Sequence, residues 1–143
     1  MHSPAPRTRL RTIARRLAPL MLVVLLAGCL LPPSPKTDAG QDVFKRCLQC
    51  HTPDKGGRNL VGPNLWGVVG RKVAEVGGFP YSDAMKTHGG EWNWPALATY
   101  LHDPKAAVPG NKMAFPGIKD DAELADLLVY IRKLADAPAA LPK

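Results

Sequence analysis

Cys47-Leu48-Gln49-Cys50-His51 is the stretch on which the reading of this chain turns. One helical turn carries the backbone from the first sulfur to the second, so both thiols can bond to the two vinyl groups on one edge of a porphyrin. The next side chain, His51, then projects over the ring face, where its imidazole can reach the iron. This is the arrangement that c-type haem attachment needs. A bare Cys-x-x-Cys also serves as half of a zinc site or as a redox thiol pair. Zinc wants four ligands, and the third cysteine, Cys29, lies far upstream in an apolar segment.

Working outward, the N-terminal side reads as an export leader. Arg7, Arg9, Arg11, Arg15 and Arg16 precede an apolar run from Leu17 to Leu31, and no acidic residue occurs before Asp38. A positive segment followed by a short greasy one is the pattern of a secretory signal. The run falls short of the roughly 20 residues that a membrane-crossing helix needs. It ends Leu26-Ala27-Gly28-Cys29, which resembles a bacterial lipobox, with Cys29 as the residue that would carry lipid. The alternative is an uncleaved anchor helix. Pro32, Pro33 and Pro35 then form a stiff, extended tether. The expected organisation is therefore residues 1–29 as signal, 30–38 as tether and 39–143 as the functional domain.

The leader also explains the charge. The 143-residue chain carries a formal net charge of +7, from 19 basic and 12 acidic residues. Without the five leader arginines, fourteen basic residues face the twelve acidic ones. That is a nearly balanced domain, which argues against nucleic acid as a partner.

On the C-terminal side of the tether, Asp38 is expected to cap a helix from Ala39 to about Arg46, with Val43, Phe44 and Cys47 facing inward. From Thr52 to Gly70 the chain is rich in Gly and Asn, including Gly62-Pro63-Asn64-Leu65, and reads as a loop. Leu65, Trp66, Val68 and Val69 are apolar enough to close a pocket. Ser82 is placed to start a short helical turn that ends at Gly89-Gly90. Asn93 is placed to cap a helix with Pro95 in its first turn. Leu97, Tyr100 and Leu101 form its apolar stripe, and Asp103-Pro104 stops it. Residues Val108 to Gly117 hold too many Pro and Gly for a regular element, yet carry Met113 and Phe115. An isolated Met is often a gap-filler, but a haem held by one histidine leaves its other face for a second ligand, and a thioether suits that role. Finally, Asp120 and Glu123 make a capping-box-like start to a helix whose face is Leu124, Leu127, Leu128 and Ile131, with Pro138 ending the pattern. No second Cys-x-x-Cys-His occurs, so one haem is the limit.

With both segments in view, residues 39 to 135 resemble class I cytochrome c of the mitochondrial type and its bacterial relatives. The resemblance implies an all-α cytochrome c fold in which N- and C-terminal helices cross and loops wrap one covalently bound haem. Gly40 and Phe44 match the first-helix residues at that crossing, and Leu127 and Tyr130 match their partners. Pro63 matches the proline whose carbonyl orients the ligating imidazole. Arg71, Tyr81 and Trp92 match positions around the haem propionates, and Tyr100 matches a residue near the methionine sulfur. Met113 matches the sixth iron ligand, opposite His51, and Phe115 the aromatic beside the exposed haem edge. Met85 and Asn111 depart from the residues common in relatives (Asn and Thr), and Leu60 and Asp120 stand where animal relatives carry lysine. Arg46, Lys105, Lys112 and Lys119 match parts of the basic ring that docks partners.

The resemblance implies a monomeric one-electron carrier rather than an enzyme. Its expected place is the bacterial periplasm, anchored to a membrane, between a quinol-oxidising complex and an oxidase or reductase, respiratory or photosynthetic. Two other classes remain: a haem enzyme or gas sensor whose methionine leaves the iron, and a zinc-binding interaction module.

Overall fold

A computed structural model describes residues 34–141. The leader and Cys29 lie outside these residues, as does the first part of the tether, residues 30–33. The chain divides into two units, Met1–Ser34 and Pro35–Lys143, and the second holds the elements below. Among the described residues the fold is all-α: α1 (Thr37–Phe44), a single 3-10 turn (Cys47–Gln49), α2 (Asp83–His88), α3 (Trp94–His102), α4 (Pro104–Ala107) and α5 (Asp121–Ile131). An isolated antiparallel bridge, Lys72 to Glu91, joins two of the loops.

The fold is organised around the crossing of α1 and α5. At eight residues, α1 is too short to be stable alone, so tertiary contact must hold it. Gly40 provides the closest approach: a Cβ added there would sit 2.9 Å from the Tyr130 Cβ and nearer still to the Asp126 carbonyl. Phe44 stacks at a tilt on Tyr130, with ring centroids 5.0 Å apart. Phe44 and Leu127 are almost wholly buried, and Val43, Leu124 and Ile131 complete this part of the core.

The helix starts show where local chemistry decided and where it did not. Ser82 caps α2 by accepting from the Met85 N–H at 3.2 Å, and Asn93 caps α3 by accepting from the Ala96 N–H at 2.9 Å, as the sequence leads one to expect. Asp120 caps α5 through the Glu123 N–H at 2.8 Å. Glu123 does not close the box in return, because its carboxylate is turned to the Arg46 guanidinium, at 3.0 and 3.2 Å. The start of α1 differs from expectation. It begins at Thr37, with Lys36 in the capping position and no side-chain cap. The Lys36 N–H instead donates to the Asp126 carboxylate on α5, so a distant acid replaces the local one. Asp38 remains in the first turn, where its charge suits the helix dipole. The first helix therefore starts inside the stretch read as tether.

Two further boundaries differ. Asp103 does end α3, but its carboxylate also accepts from the Ala106 N–H at 3.1 Å and so starts α4. One aspartate both stops a helix and begins the next, and Pro104 fits the first position of α4 because it lacks an N–H. Helix α5 ends at Ile131, well before Pro138. Leu134 is buried, and beyond it the chain folds back: Arg132 Nε donates to the Ala139 carbonyl at 2.6 Å, and the Trp94 indole to that of Ala140 at 2.7 Å.

Candidate haem site

The 3-10 turn after α1 presents the attachment motif. Cys50 and His51 both donate their backbone N–H groups to the Cys47 carbonyl, at 3.0 and 2.9 Å, which makes the single turn that the spacing implies. Both thiols are free and half-buried. Burial pushes the Cys47 thiol up to about 11, partly offset by the charge of Arg46, so it is held as a neutral thiol at ordinary pH.

The loop that follows positions the imidazole. His51 Nδ1 lies 2.7 Å from the Pro63 carbonyl oxygen. A carbonyl only accepts, so Nδ1 is the donor and the Nε2 lone pair is left for a metal. Burial lowers the His51 pKa below its ordinary value, against the raising effect of the Pro63 bond. The ring is therefore neutral and competent as a ligand. Gly62 packs flat on this ring: an added Cβ would lie 2.6 Å from Nδ1 and 2.7 Å from Nε2. Its N–H donates to the Cys50 carbonyl at 2.8 Å. Only glycine lets the loop come this close.

Asn64 is a positioning residue that sequence reasoning passed over. Its amide donates to the Thr52 carbonyl and hydroxyl and to the Asp54 carbonyl, at 3.1, 2.7 and 2.9 Å, and its oxygen accepts from the Trp66 N–H at 3.0 Å. The Asn64 carbonyl in turn accepts from the Arg71 guanidinium at 3.0 Å, with Trp66 adding a second acceptor at 3.1 Å. An asparagine in a Gly-Pro loop, able to bond its own backbone neighbours, was the available signal.

Around the other side, two loop segments run together. Trp92 and Arg71 share a backbone bond of 2.9 Å, and Gly70 donates to the Trp92 carbonyl at 3.0 Å. Tyr81 feels the positive charge of Arg71, although burial raises its pKa overall. Arg71, Tyr81 and Trp92 thus share one region. The buried Trp92 ring packs on Tyr100 at 4.9 Å. The Tyr100 hydroxyl points at the Met113 sulfur, 3.9 Å away, and burial pushes its pKa up to about 12, so it stays a proton donor. Met113 and Phe115 are partly buried against the same core. The Phe115 ring makes no stacking contact with an aromatic of the site.

The donor set fits a c-type haem. A tied imidazole with one free nitrogen follows directly on two free thiols. No group of three or more His, Cys, Asp or Glu that could hold a metal occurs among the described residues, so none of those residues completes a four-ligand zinc site with the thiols. When bound, the haem supplies a one-electron iron couple. The chain's own part is to hold it, orient its ligands and restrict water.

The Cytochrome c family model matches residues 37–135. The chain is 42% identical over 112 residues to cytochrome c2 of Blastochloris viridis, covering 78% of this chain and 88% of that one. It is 48% identical over 94 residues to cytochrome c of Stellaria longipes, covering 65% and 87%. Among solved structures, cytochrome cH from Methylobacterium extorquens aligns with a TM-score of 0.64 and 42% identity, over 68% of this chain and 98% of the other. The match spans both crossing helices, the attachment turn and the methionine loop, and on it the chain belongs to the class I cytochrome c family: it is a one-electron carrier with a single c-type haem bound covalently through Cys47 and Cys50.

Proposed function

We propose that His51 and Met113 are the two axial ligands of a closed haem site, and that the protein shuttles electrons as a membrane-tethered carrier between a quinol-oxidising complex and an oxidase or reductase. The observation that carries this reading is the pair of restraints, Pro63 on the His51 ring and Tyr100 on the Met113 sulfur. Each side chain has a polar partner that restrains it, which suits a ligand that must not move between oxidation states. With both axial positions filled, no place remains for a substrate on the iron, and this favours a carrier over a peroxidase or gas sensor. Arg71, Tyr81 and Trp92 serve the haem propionates, where cationic and neutral donors offset negative charge. Phe115 lies beside the exposed edge. The test is the optical spectrum of the purified holoprotein: low-spin, with a methionine-sulfur charge-transfer band. A high-spin resting spectrum would instead support the enzyme or sensor reading.

The anchor belongs to the same proposal. No described helix is long and apolar enough to cross a membrane, and we assign the tether to lipid on Cys29 after export to the bacterial periplasm. A cleaved lipoprotein loses this hold when the thiol is removed. Cys29→Ser is expected to release the protein into the soluble fraction of fractionated cells, whereas unchanged membrane retention would point to an uncleaved helix.

For docking, the four cations are not equivalent. Arg46 is already paired with Glu123 and Lys119 with Asp103, at 3.0 and 2.8 Å. Lys105 and Lys112 are exposed and have no ion pair among the described residues. Near the attachment turn, Val61 is 80% exposed, and Leu48 and Leu60 are also exposed, which leaves apolar surface beside the haem-attachment motif. The prediction is that Lys105→Glu with Lys112→Glu slows electron transfer to hexacyanoferrate(III) several-fold at low ionic strength, with the difference shrinking by about 0.15 M salt. Neutralising Arg46 should have the smaller effect. Equal effects at all four positions would show that the internal pairs do not matter.

A further inference from the structure

The segment from Val108 to Ile118 that carries Met113 is closed at both ends. Val108 and Ile118 are buried, and the Ile118 N–H donates to the Leu101 carbonyl at 2.9 Å. Gly117, at φ +90°, abuts the His102 carbonyl, where no Cβ fits. Between these anchors, nine residues with no regular backbone ladder hold a side chain that must keep its place. What spans the gap is Asn111. Its Nδ2 donates to the Pro104 carbonyl at 2.7 Å and to the Val108 carbonyl at 2.8 Å, and its Oδ1 accepts the Met113 N–H at 2.9 Å.

These three bonds join two different things. The Pro104 and Val108 carbonyls lie at the first residue of α4 and just past its last; each already accepts a backbone N–H, from Val108 and Asn111 at 3.0 Å, and the Asn111 amide is a second donor to both. The Met113 N–H is two residues ahead of Asn111, the usual reach of an asparagine side chain to its own backbone. One planar amide, with two donor hydrogens and an acceptor oxygen, therefore bolts the backbone of Met113 to a helix end. That end is itself fixed, because Pro104 is almost fully buried and the cap Asp103 is clamped by Lys119. Burial of the loop ends alone would leave the middle free to swing. Threonine, with a single hydroxyl, cannot make all three bonds.

The geometry points to Asn111 as the residue that sets how readily Met113 leaves the iron, by holding the backbone of the ligand loop rather than by touching the haem. It rests on Met113 being the ligand and adds to that reading the source of its hold. Each such bond lost, at a net worth of about 1 kcal/mol, changes an equilibrium roughly fivefold. Together they make a barrier to loop opening that a competing ligand must wait for.

The experiment uses the ferric holoprotein and imidazole as the competing ligand. At saturating imidazole the displacement rate is limited by departure of Met113, read as loss of the sulfur charge-transfer band. Asn111→Ala is expected to raise this limiting rate by on the order of tenfold to a hundredfold, the effect of two or three such bonds, and Asn111→Thr to restore part of the difference. Asp120→Ala, which removes the cap of α5 and lowers global stability, should leave the rate within about twofold. Equal rates for the wild type and Asn111→Ala would overturn the proposal, as would an equal acceleration by Asp120→Ala, since either would make the loop bonds irrelevant to ligand departure. A wild-type protein without the sulfur band would instead overturn the ligand assignment beneath it.

Discussion

Met113→Ala is expected to abolish the methionine-sulfur charge-transfer band and to lower the reduction potential by on the order of a few hundred millivolts, within the range over which axial ligands tune haem iron. A thioether is a soft, neutral donor and favours the ferrous state. Water or hydroxide in its place favours the ferric state, and the potential falls. Of the two methionines in the described domain, Met85 is buried in the core beneath the Ser82 cap, whereas Met113 stands partly exposed with its sulfur facing the Tyr100 hydroxyl. Met85→Leu should therefore keep the band and cost only packing, about 1 kcal/mol. Potentiometric titration and near-infrared absorption of both variants decide the matter. Survival of the band in Met113→Ala would end the assignment.

The largest effect on stability is expected at Gly40. In an open helix, replacing Gly by Ala stabilises by up to about 1 kcal/mol. At this position the new methyl would press into the Asp126 carbonyl and the Tyr130 Cβ, neither of which can move without shifting α5. Gly40→Ala should therefore destabilise, by about 3 kcal/mol from overpacking between two backbones. The sign is the informative part, and urea unfolding followed by far-UV circular dichroism reads it. A gain in stability would mean that the helices do not meet at Gly40. Because the crossing also delivers Cys47 through the turn that follows Phe44, the same variant should lower the yield of holoprotein on maturation.

Much of this was legible along the chain because the chemistry is local. The spacing from Cys47 to His51 dictates one helical turn, and the turn is there. Ser82, Asn93 and Asp120 cap helices because each side chain reaches a backbone N–H three residues ahead, a distance that any chain can read from its own sequence. Pro63 was placed opposite His51 through a family resemblance, and the 2.7 Å bond now gives that placement a geometry.

Other features were not legible, and each for the same kind of reason. Lys36 starts α1 because Asp126, ninety residues on, accepts its N–H. Glu123 leaves its cap because Arg46 arrives from the other helix. That same arrival pairs the Arg46 charge. Asn111 stands in the sequence as one polar residue in an irregular loop, and only the folding of α4 against it reveals what its amide holds. The sequence by itself thus determined the cofactor, through five adjacent residues, since covalent attachment depends on residue identity. The tertiary structure decided how the His51 ring and the Met113 loop are held and which surface charges are paired. Those depend on groups brought together from distant parts of the chain, where a hydrogen bond or ion pair has no signature until both partners are in place.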